Sequence, residues 1–511
     1  MAEIVSTGAG AARYRADGPS SGFAAELAHV AIGLSIAAVM IFAPVAAHGV
    51  HPGLGILTTL FLAGICAWRL PQIAVVAIVF SFLFQNLFVS LMTGFIQGED
   101  DFDIIRAYNF LLLCTVWLVI AALYLARWNR RPRGLDPYVR ASFAVLVAIG
   151  LYFLVGFVFN GMTAVIYLRN IVTPVLFFQI CLVLFASQPV KLTSMLTSAG
   201  VLAMLCGYFE FLNRDTWLYW TNGYAYWELA SGPNWATLAY DKMAAETGVV
   251  ASRLTDTFTI DFFNSPLVSG LGIEMMRIFG PNMHAISFAY ALSFFTMFTL
   301  YRGRFLLAAL FFVLAFLCNA KGPLILMLLA MASWAVFRLF GARLAFALHA
   351  LALAGYAVIG VVLGLRMGDY HVLGLMSALH EFPLNPIGHG IGSGGNLSPS
   401  FELIDWPTAQ ATGRTLFPVE SSIGVLMYQM GIAAFGIVAF YCWTAWRVMT
   451  IARETGNSLH AAAALSLLVM VTNGLFQEEA FFSPLALALY LGIAGMILGA
   501  AVRTGLDLSR G

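Results

Sequence analysis

Long apolar runs with almost no charge inside them recur along the whole chain, and they constrain its fold more than any other feature. They cover about residues 27–47, 54–68, 72–95, 108–126, 141–160, 170–188, 195–212, 283–301, 305–319, 322–337, 344–365, 421–446, 459–476 and 482–501. A helix needs about 20 mostly apolar residues to cross the hydrocarbon core of a bilayer. In lipid, only helices and closed barrels satisfy every backbone polar group. Composition points the same way, since 61% of the 511 residues are hydrophobic and only 10% are charged, against about 25% charged in soluble proteins. The expected fold class is all-α integral membrane, a polytopic bundle of about fourteen transmembrane helices with two long periplasmic loops. The second, ninth and tenth runs are short for a full crossing and suit tilted neighbours or half-helices. The formal net charge of +1 gives no sign of nucleic acid as a partner.

Basic residues set the expected orientation. With the N-terminus in the cytoplasm, the inner segments hold Arg13, Arg15, Arg69, Arg127, Arg130, Arg131, Arg133, Arg140, Lys191, Arg302, Arg304, Arg338, Arg343, Arg447, Arg453, Arg503 and Arg510. That is about seventeen of the 26 Lys and Arg residues, as the positive-inside rule requires. The acidic stretches Glu99-Asp100-Asp101-Phe102-Asp103 and Gln477-Glu478-Glu479 then fall outside. The chain divides into a cytoplasmic tail (1–26), spans one to seven (27–212), a long outer loop (213–282), spans eight to eleven (283–365), a second long outer loop (366–420), spans twelve to fourteen (421–501) and a cytoplasmic tail (502–511). Val45-Ala46-Ala47 has the look of a small-residue cleavage site, but the run before it is long for a signal peptide and reads as an uncleaved first span. No internal repeat and no inverted pair of broken helices is visible. The six cysteines, Cys66, Cys114, Cys181, Cys206, Cys318 and Cys442, all sit in apolar stretches without metal-ligand spacing and read as small buried residues.

Cations outside run against the bias and call for a reason. They are Arg106, Arg169, Arg214, Lys242, Arg253, Arg277, Lys321, Arg366 and Arg414. Arg169 directly precedes span six, Arg277 lies in Arg277-Ile278-Phe279-Gly280-Pro281-Asn282 before span eight, and Lys321 separates two apolar runs. A cation at the outer rim of a bundle suits a phosphate, through the fork of Arg or the point charge of Lys; snorkelling to lipid phosphate or water is the alternative. The second outer loop contains five glycines within Gly388–Gly395, with His389 among them. Such a segment permits close approach to a ligand or forms a flexible turn. Glu420 and Ser421 stand where span twelve begins, so Glu420 is either a favourable charge at a helix N-terminus or a base. Trp217, Trp220, Trp227 and Trp235 suit an interfacial belt or stacking on sugars. The chain contains no HExxH, no acidic metal cluster and no GxSxG.

The segment from Asn385-Pro386-Ile387-Gly388-His389-Gly390 to Val419-Glu420-Ser421-Ser422 resembles the long outer loop of the O-antigen polymerase/ligase family. Arg277-Ile278-Phe279-Gly280-Pro281-Asn282 is similar to that family's Arg-x-x-Gly and Pro-Asn approach to a helix, and Asn319-Ala320-Lys321-Gly322 to its Ser-Arg-Gly helix start, with Lys for Arg. The resemblance covers about residues 140–445. It implies a glycosyltransferase of the bacterial inner membrane, without metal or cofactor and with both termini cytoplasmic. At the periplasmic face the enzyme would use a glycan carried on undecaprenyl pyrophosphate. Arg277 and Arg169 would bind the pyrophosphate with help from Lys321 or Arg414, Asn282 would contribute to substrate binding, and Glu420 or His389 would act as base or orient the acceptor. The ligase branch carries His-Asn where this chain has Glu420-Ser421, so the resemblance favours a polymerase of a surface or secreted polysaccharide over a ligase acting on lipid A core. A flippase of lipid-linked oligosaccharide is the reading from another class. The implied partners are membrane lipid, the lipid-linked oligosaccharide, a chain-length regulator and a flippase.

Overall fold

The structure, a computed structural model, describes residues 23–96, 98–127, 129, 132–231, 259–262 and 272–506. Arg13, Arg15, Arg130, Arg131, Trp235, Lys242, Arg253 and Arg510 lie outside the described residues. In chain order the elements are α1 (Phe23–His48), α2 (Pro52–Arg69), α3 (Pro71–Leu91), α4 (Glu99–Arg106), α5 (Tyr108–Ala126), α6 (Asp136–Ser187), α7 (Thr193–Leu212), α8 (Arg214–Trp220), α9 (Gly223–Ser231), β1 (Thr259–Asp261) and β2 (Glu274–Met276). There follow α10 (Ala285–Leu300), α11 (Phe305–Leu317), α12 (Lys321–Phe340), α13 (Ala342–Met367), α14 (Tyr370–Glu381), α15 (Trp406–Thr412), α16 (Ser422–Met430), α17 (Ile432–Thr455), α18 (Ser458–Asn473), α19 (Glu479–Phe482) and α20 (Leu489–Arg503). Among the described residues the protein is all-α apart from the small two-stranded antiparallel sheet β1–β2.

Among the described residues ten helices are long and apolar enough to cross a membrane, and α10, α11 and α18 are shorter apolar helices. Burial separates helices of equal hydropathy. The apolar window of α13 has mean hydropathy 2.2 and only 6% of it is buried, whereas 94% of the window at Pro484–Arg503 is buried at mean hydropathy 2.3. An outward helix studded with Leu351, Val358 and Ile359 (all more than half exposed) suits lipid, not water. The helix at Pro484–Arg503 is instead apolar all round because protein surrounds it.

Three expectations about spans change. The tenth run, expected to be short, belongs to the 20-residue α12, whereas the ninth is the 13-residue α11. The run 421–446 is not one helix: Gly431 (φ 53°, ψ −130°) separates α16 from α17, and the freed Ile432 N–H donates to Pro386 O at 2.9 Å. The acidic stretch at 99–103 is helical, the start of α4. The runs 141–160 and 170–188 fall within α6, whose 52 residues would measure roughly 78 Å if straight. The non-helical Gly161 (φ 51°, ψ −122°) divides that helix.

The chain forms two compact units. The first comprises the described residues within 123–190 and 325–506. Within it α6 packs on α20, α17 on α18, and α14 on α16. Glycines set the closest approaches on α20. A Cβ at Gly495 would lie 2.7 Å from Phe178 O and one at Gly499 would lie 2.3 Å from Leu182 O. Small residues four apart let helix backbones meet closely in the manner of membrane helix pairs. The second unit comprises the described residues within 23–122 and 191–324. There α1 packs on α2 and α3, and α10 on α11. Trp217, Tyr226, Phe102 and Tyr108 form a buried apolar cluster with Trp227 packed against it. Trp217 is therefore core, neither belt nor sugar platform.

Because the atom facing Gly499 belongs to backbone, Gly499→Ala is expected to cost about 2–3 kcal/mol, read as a lower melting temperature in detergent. Gly150→Ala, on α6 with open space around it, is expected to be neutral or slightly stabilising.

Candidate functional site

In the first unit a chain of polar contacts runs from α6 to the start of α16. Tyr167 on α6 is fully buried, and its hydroxyl donates to Glu478 Oε1 at 2.6 Å. The same hydroxyl accepts the Leu397 N–H at 3.2 Å. Glu478 Oε2 accepts the Asn396 N–H at 2.9 Å. Asn396 Oδ1 in turn accepts the Glu420 N–H at 2.9 Å. The Glu420 carboxylate ends the chain 3.4 Å from His371 Nδ1, with the two side chains 18% and 16% exposed. A carboxylate at the edge of a buried network, still reached by solvent, is where a reacting hydroxyl could be met.

Local structure explains why Glu420 points there. Its φ is +59°, and the Ser421 N–H donates back to Val419 O at 2.7 Å, so Glu420 is the central residue of a tight γ-turn. A glutamate in this region is uncommon, and such backbone strain collects at functional positions. Ser421 then caps α16 by accepting the Gly424 N–H at 3.1 Å. Gly474 O receives the Ser421 and Ser422 hydroxyls at 3.3 and 3.1 Å and the Ile423 N–H at 2.9 Å. On the other side Val419 lies flat on α14, where a Cβ at Gly374 would come within 1.9 Å of Val419 O. His371 is set by the Asp369 cap of α14, whose carboxylate accepts the His371 N–H at 2.9 Å.

Electrostatics tune the same groups. Burial raises the Glu420 carboxyl to about 8, with the neighbouring charges of Glu479, Glu478 and Asp369 adding to it and the Asn396 hydrogen bond opposing it. Burial also raises Glu478 to about 7, against the hydrogen bonds from Tyr167 and Asn396. Acids that change state near neutrality are suited to proton transfer.

The glycine-rich segment serves packing. A Cβ at Gly390 would lie 2.8 Å from the Gly156 Cα, one at Gly392 2.7 Å from the Ala164 N, and one at Gly388 2.6 Å from the Gly431 N. Ile391 N donates to Tyr152 O at 3.2 Å, and Asn160 Nδ2 donates to Ile391 O at 3.2 Å. Residues 390–392 are thus lodged against both sides of the break in α6. These glycines admit helix backbone, so the ligand-cradle expectation does not apply to them. His389 stacks on Tyr428 at 4.2 Å between ring centroids, and its N–H donates to Tyr428 O at 2.9 Å. Among the described residues nothing joins His389 to Glu420.

The expected cations are distributed between units. Arg169 is half-buried on α6, two residues after Tyr167 and so on a different face of the helix. Arg414 is half-buried just past the end of α15. Arg277, Asn282 and Lys321 belong to the second unit. There the fully buried Glu210 accepts the Phe279 N–H at 3.0 Å and the Gly280 N–H at 2.6 Å, and lies 3.4 Å from Arg214. Arg214, in turn, donates to Arg277 O. The segment Arg277–Gly280 is therefore shaped by a buried ion pair. Asn282 is used structurally: its Nδ2 donates to Phe82 O at 3.0 Å and its carbonyl accepts from Asn86 Nδ2 at 2.6 Å. Lys321 opens α12.

Sequence reasoning missed Tyr167, His371, Asn396 and Glu478. Tyr167 adjoins Arg169, Asn396 ends the glycine-rich segment and Glu478 lies in the outer acidic pair, so each had a neighbour of interest; His371 had none. No protein-family model matches the chain, and no curated protein is similar enough to it to count as a match.

The raised carboxyls fix a sign. The folded chain holds protons on Glu420 and Glu478 that the unfolded chain releases near the ordinary carboxylate value, so stability from these groups is greatest below that value and falls as pH rises towards about 8. Melting temperature is expected to fall between pH 5 and pH 9, and Glu420→Gln is expected to flatten that fall. An equal slope in the variant would show that Glu420 is not its source.

Proposed function

We propose that this chain is a glycosyltransferase of the O-antigen polymerase/ligase type. It polymerises a bacterial surface or secreted polysaccharide from a glycan carried on undecaprenyl pyrophosphate. The observation that carries this reading is Glu420, held at φ +59° at the head of α16 and raised to about 8 beside His371. The resemblance puts a catalytic position there, and a base near neutrality in a polar, half-open site is what attack by a sugar hydroxyl requires. This reading takes both sides of Gly161 and the three shorter apolar helices as crossings beside the other long apolar helices, fourteen in all. The bias of Lys and Arg then sets both termini in the cytoplasm and Glu420 at the periplasmic face of the inner membrane.

In the step itself, an acceptor hydroxyl oxygen attacks the anomeric carbon of the donor's first sugar. The bond from that carbon to the pyrophosphate oxygen breaks, and the hydroxyl proton passes to Glu420. Negative charge grows on the leaving lipid pyrophosphate, and a preorganised cation stabilises it. Arg169 and Arg414, in the same unit as Glu420, are assigned that role. Arg277 and Lys321 enter through the resemblance alone. Tyr167, Glu478 and Asn396 act through Glu420 as positioning residues.

The purified protein, supplied with the host's lipid-linked repeat unit, is expected to give a ladder of longer glycans on a gel. Its rate should rise with pH towards about 8 as Glu420 loses its proton. Glu420→Ala and Arg169→Ala are each expected to lower the rate by about 10²-fold or more at normal protein level. Full output from Arg277→Ala would remove that residue from the reading. Transfer only after addition of a lipid acceptor would identify a ligase, and movement of the substrate across liposomes without product would identify a flippase.

A further inference from the structure

At the end of the first unit where α12 stops, α13 starts and α17 stops, an open cleft of about 580 Å³ is lined by Arg338, Arg343 and Arg453. Arg338 is in the last turn of α12 and Arg453 in the last turn of α17, where each helix's carbonyl end holds a cation. Arg343 is in the first turn of α13. That helix starts at Gly341, which lies in the cleft wall and offers no side-chain cap. The head of that helix, where the first N–H groups and the positive end of the dipole are found, therefore borders the cleft.

The three arginines are exposed, and among the described residues none of them is ion-paired. Arg338 lies over the Trp334 ring at 5.8 Å, a contact that leaves its fork of donors available. Glu454 is next to Arg453 in sequence but does not line the cleft. Like charges gathered without a counterion repel one another, and an anion relieves that repulsion. Phe337 and Ala452 contribute apolar surface to the cleft. Beside it, Leu339, Phe340, Leu344 and Leu348 are exposed at 74%, 65%, 43% and 43%. A cationic cleft bordered by bare apolar side chains fits an amphiphile with an anionic head and hydrocarbon tails.

We propose that this cleft is a binding site for the phosphate headgroup of an anionic membrane lipid, with the acyl chains lying along α12 and α13. The arginines supply charge-assisted, fork-shaped hydrogen bonds to the phosphate oxygens, and the head of α13 adds backbone donors. Basic pockets between membrane helices on the cytoplasmic side are suited to such headgroups. All three arginines belong to the set that the charge bias assigns to that side. The site is separate from Glu420 and its neighbours, and the proposal stands or falls independently of the glycosyltransferase reading.

The test is native mass spectrometry of the full chain released from nanodiscs of equal parts phosphatidylglycerol and phosphatidylcholine. The wild-type protein is expected to retain phosphatidylglycerol preferentially. The R338Q/R343Q/R453Q variant should bind it on the order of a hundredfold more weakly, at about fivefold per arginine. R140Q, which removes an arginine 81% exposed at the start of α6, should retain it as the wild type does. Should the triple glutamine variant misfold, R338K/R343K/R453K keeps the charge and must still select the anionic lipid. Equal retention of both lipids, undiminished binding in a folded glutamine variant, or loss of selection in the lysine variant would overturn the proposal. So would tight binding of inorganic phosphate without any preference for phosphatidylglycerol, since the site would then take a free anion.

Discussion

Backbone pressed against backbone at glycine is the constraint on which the first unit depends. Gly390 and Gly392 bring the second long loop against α6 at Gly156 and Ala164, on the two sides of the break at Gly161. Gly431 interrupts the apolar run 421–446 so that Ile432 can bond Pro386 in that loop. Gly495 and Gly499 bring α20 against the later part of α6. In lipid, apolar side chains gain little by leaving one apolar environment for another, so close contact and satisfied polar groups hold helices together. These glycines supply the first, and the hydrogen bonds around Ile391 and Gly474 supply the second.

That packing also makes the candidate site. With the loop fixed on α6, Asn396 and Leu397 meet Glu478 and Tyr167, and Asn396 reaches across to the Glu420 backbone. Glu420 therefore receives its orientation from helix packing through a chain of hydrogen bonds. Its strained backbone persists because Asn396, the Ser421 cap and the contact of Val419 with Gly374 over-determine it. The same enclosure withholds water from the carboxylates and raises their proton affinity. Stability and chemistry are joined here, since the burial that opposes ionisation of Glu420 also gives it a proton affinity near neutrality.

The second unit uses a buried charge pair for a similar purpose. Glu210 and Arg214 shape the turn at Phe279–Gly280, and Arg214 also holds the Arg277 carbonyl. The short Arg277–Asn282 motif thus owes its backbone to residues some seventy positions earlier. Removing one member of such a pair leaves the other buried and unpaired, which is far costlier than the net worth of the pair.

The sequence by itself determined that the chain is built of apolar helices, because a run of about 20 uncharged residues has few alternatives in lipid. It also marked Glu420, through its place before a helix. It separated the runs on either side of Gly161 but read 421–446 as one span and missed the break at Gly431, since one glycine in an apolar run costs a helix only about 1 kcal/mol and local propensity cannot decide. For the glycines of residues 388–395 it left a ligand site and a turn both open, because freedom to approach is visible in sequence and the thing approached is not. Tyr167, His371, Asn396 and Glu478 acquired their significance only in three dimensions, where residues up to 311 positions apart are brought within hydrogen-bond reach. Periodicity and charge are local properties that a sequence displays, whereas which polar atoms share one buried space is decided by the packing of distant helices.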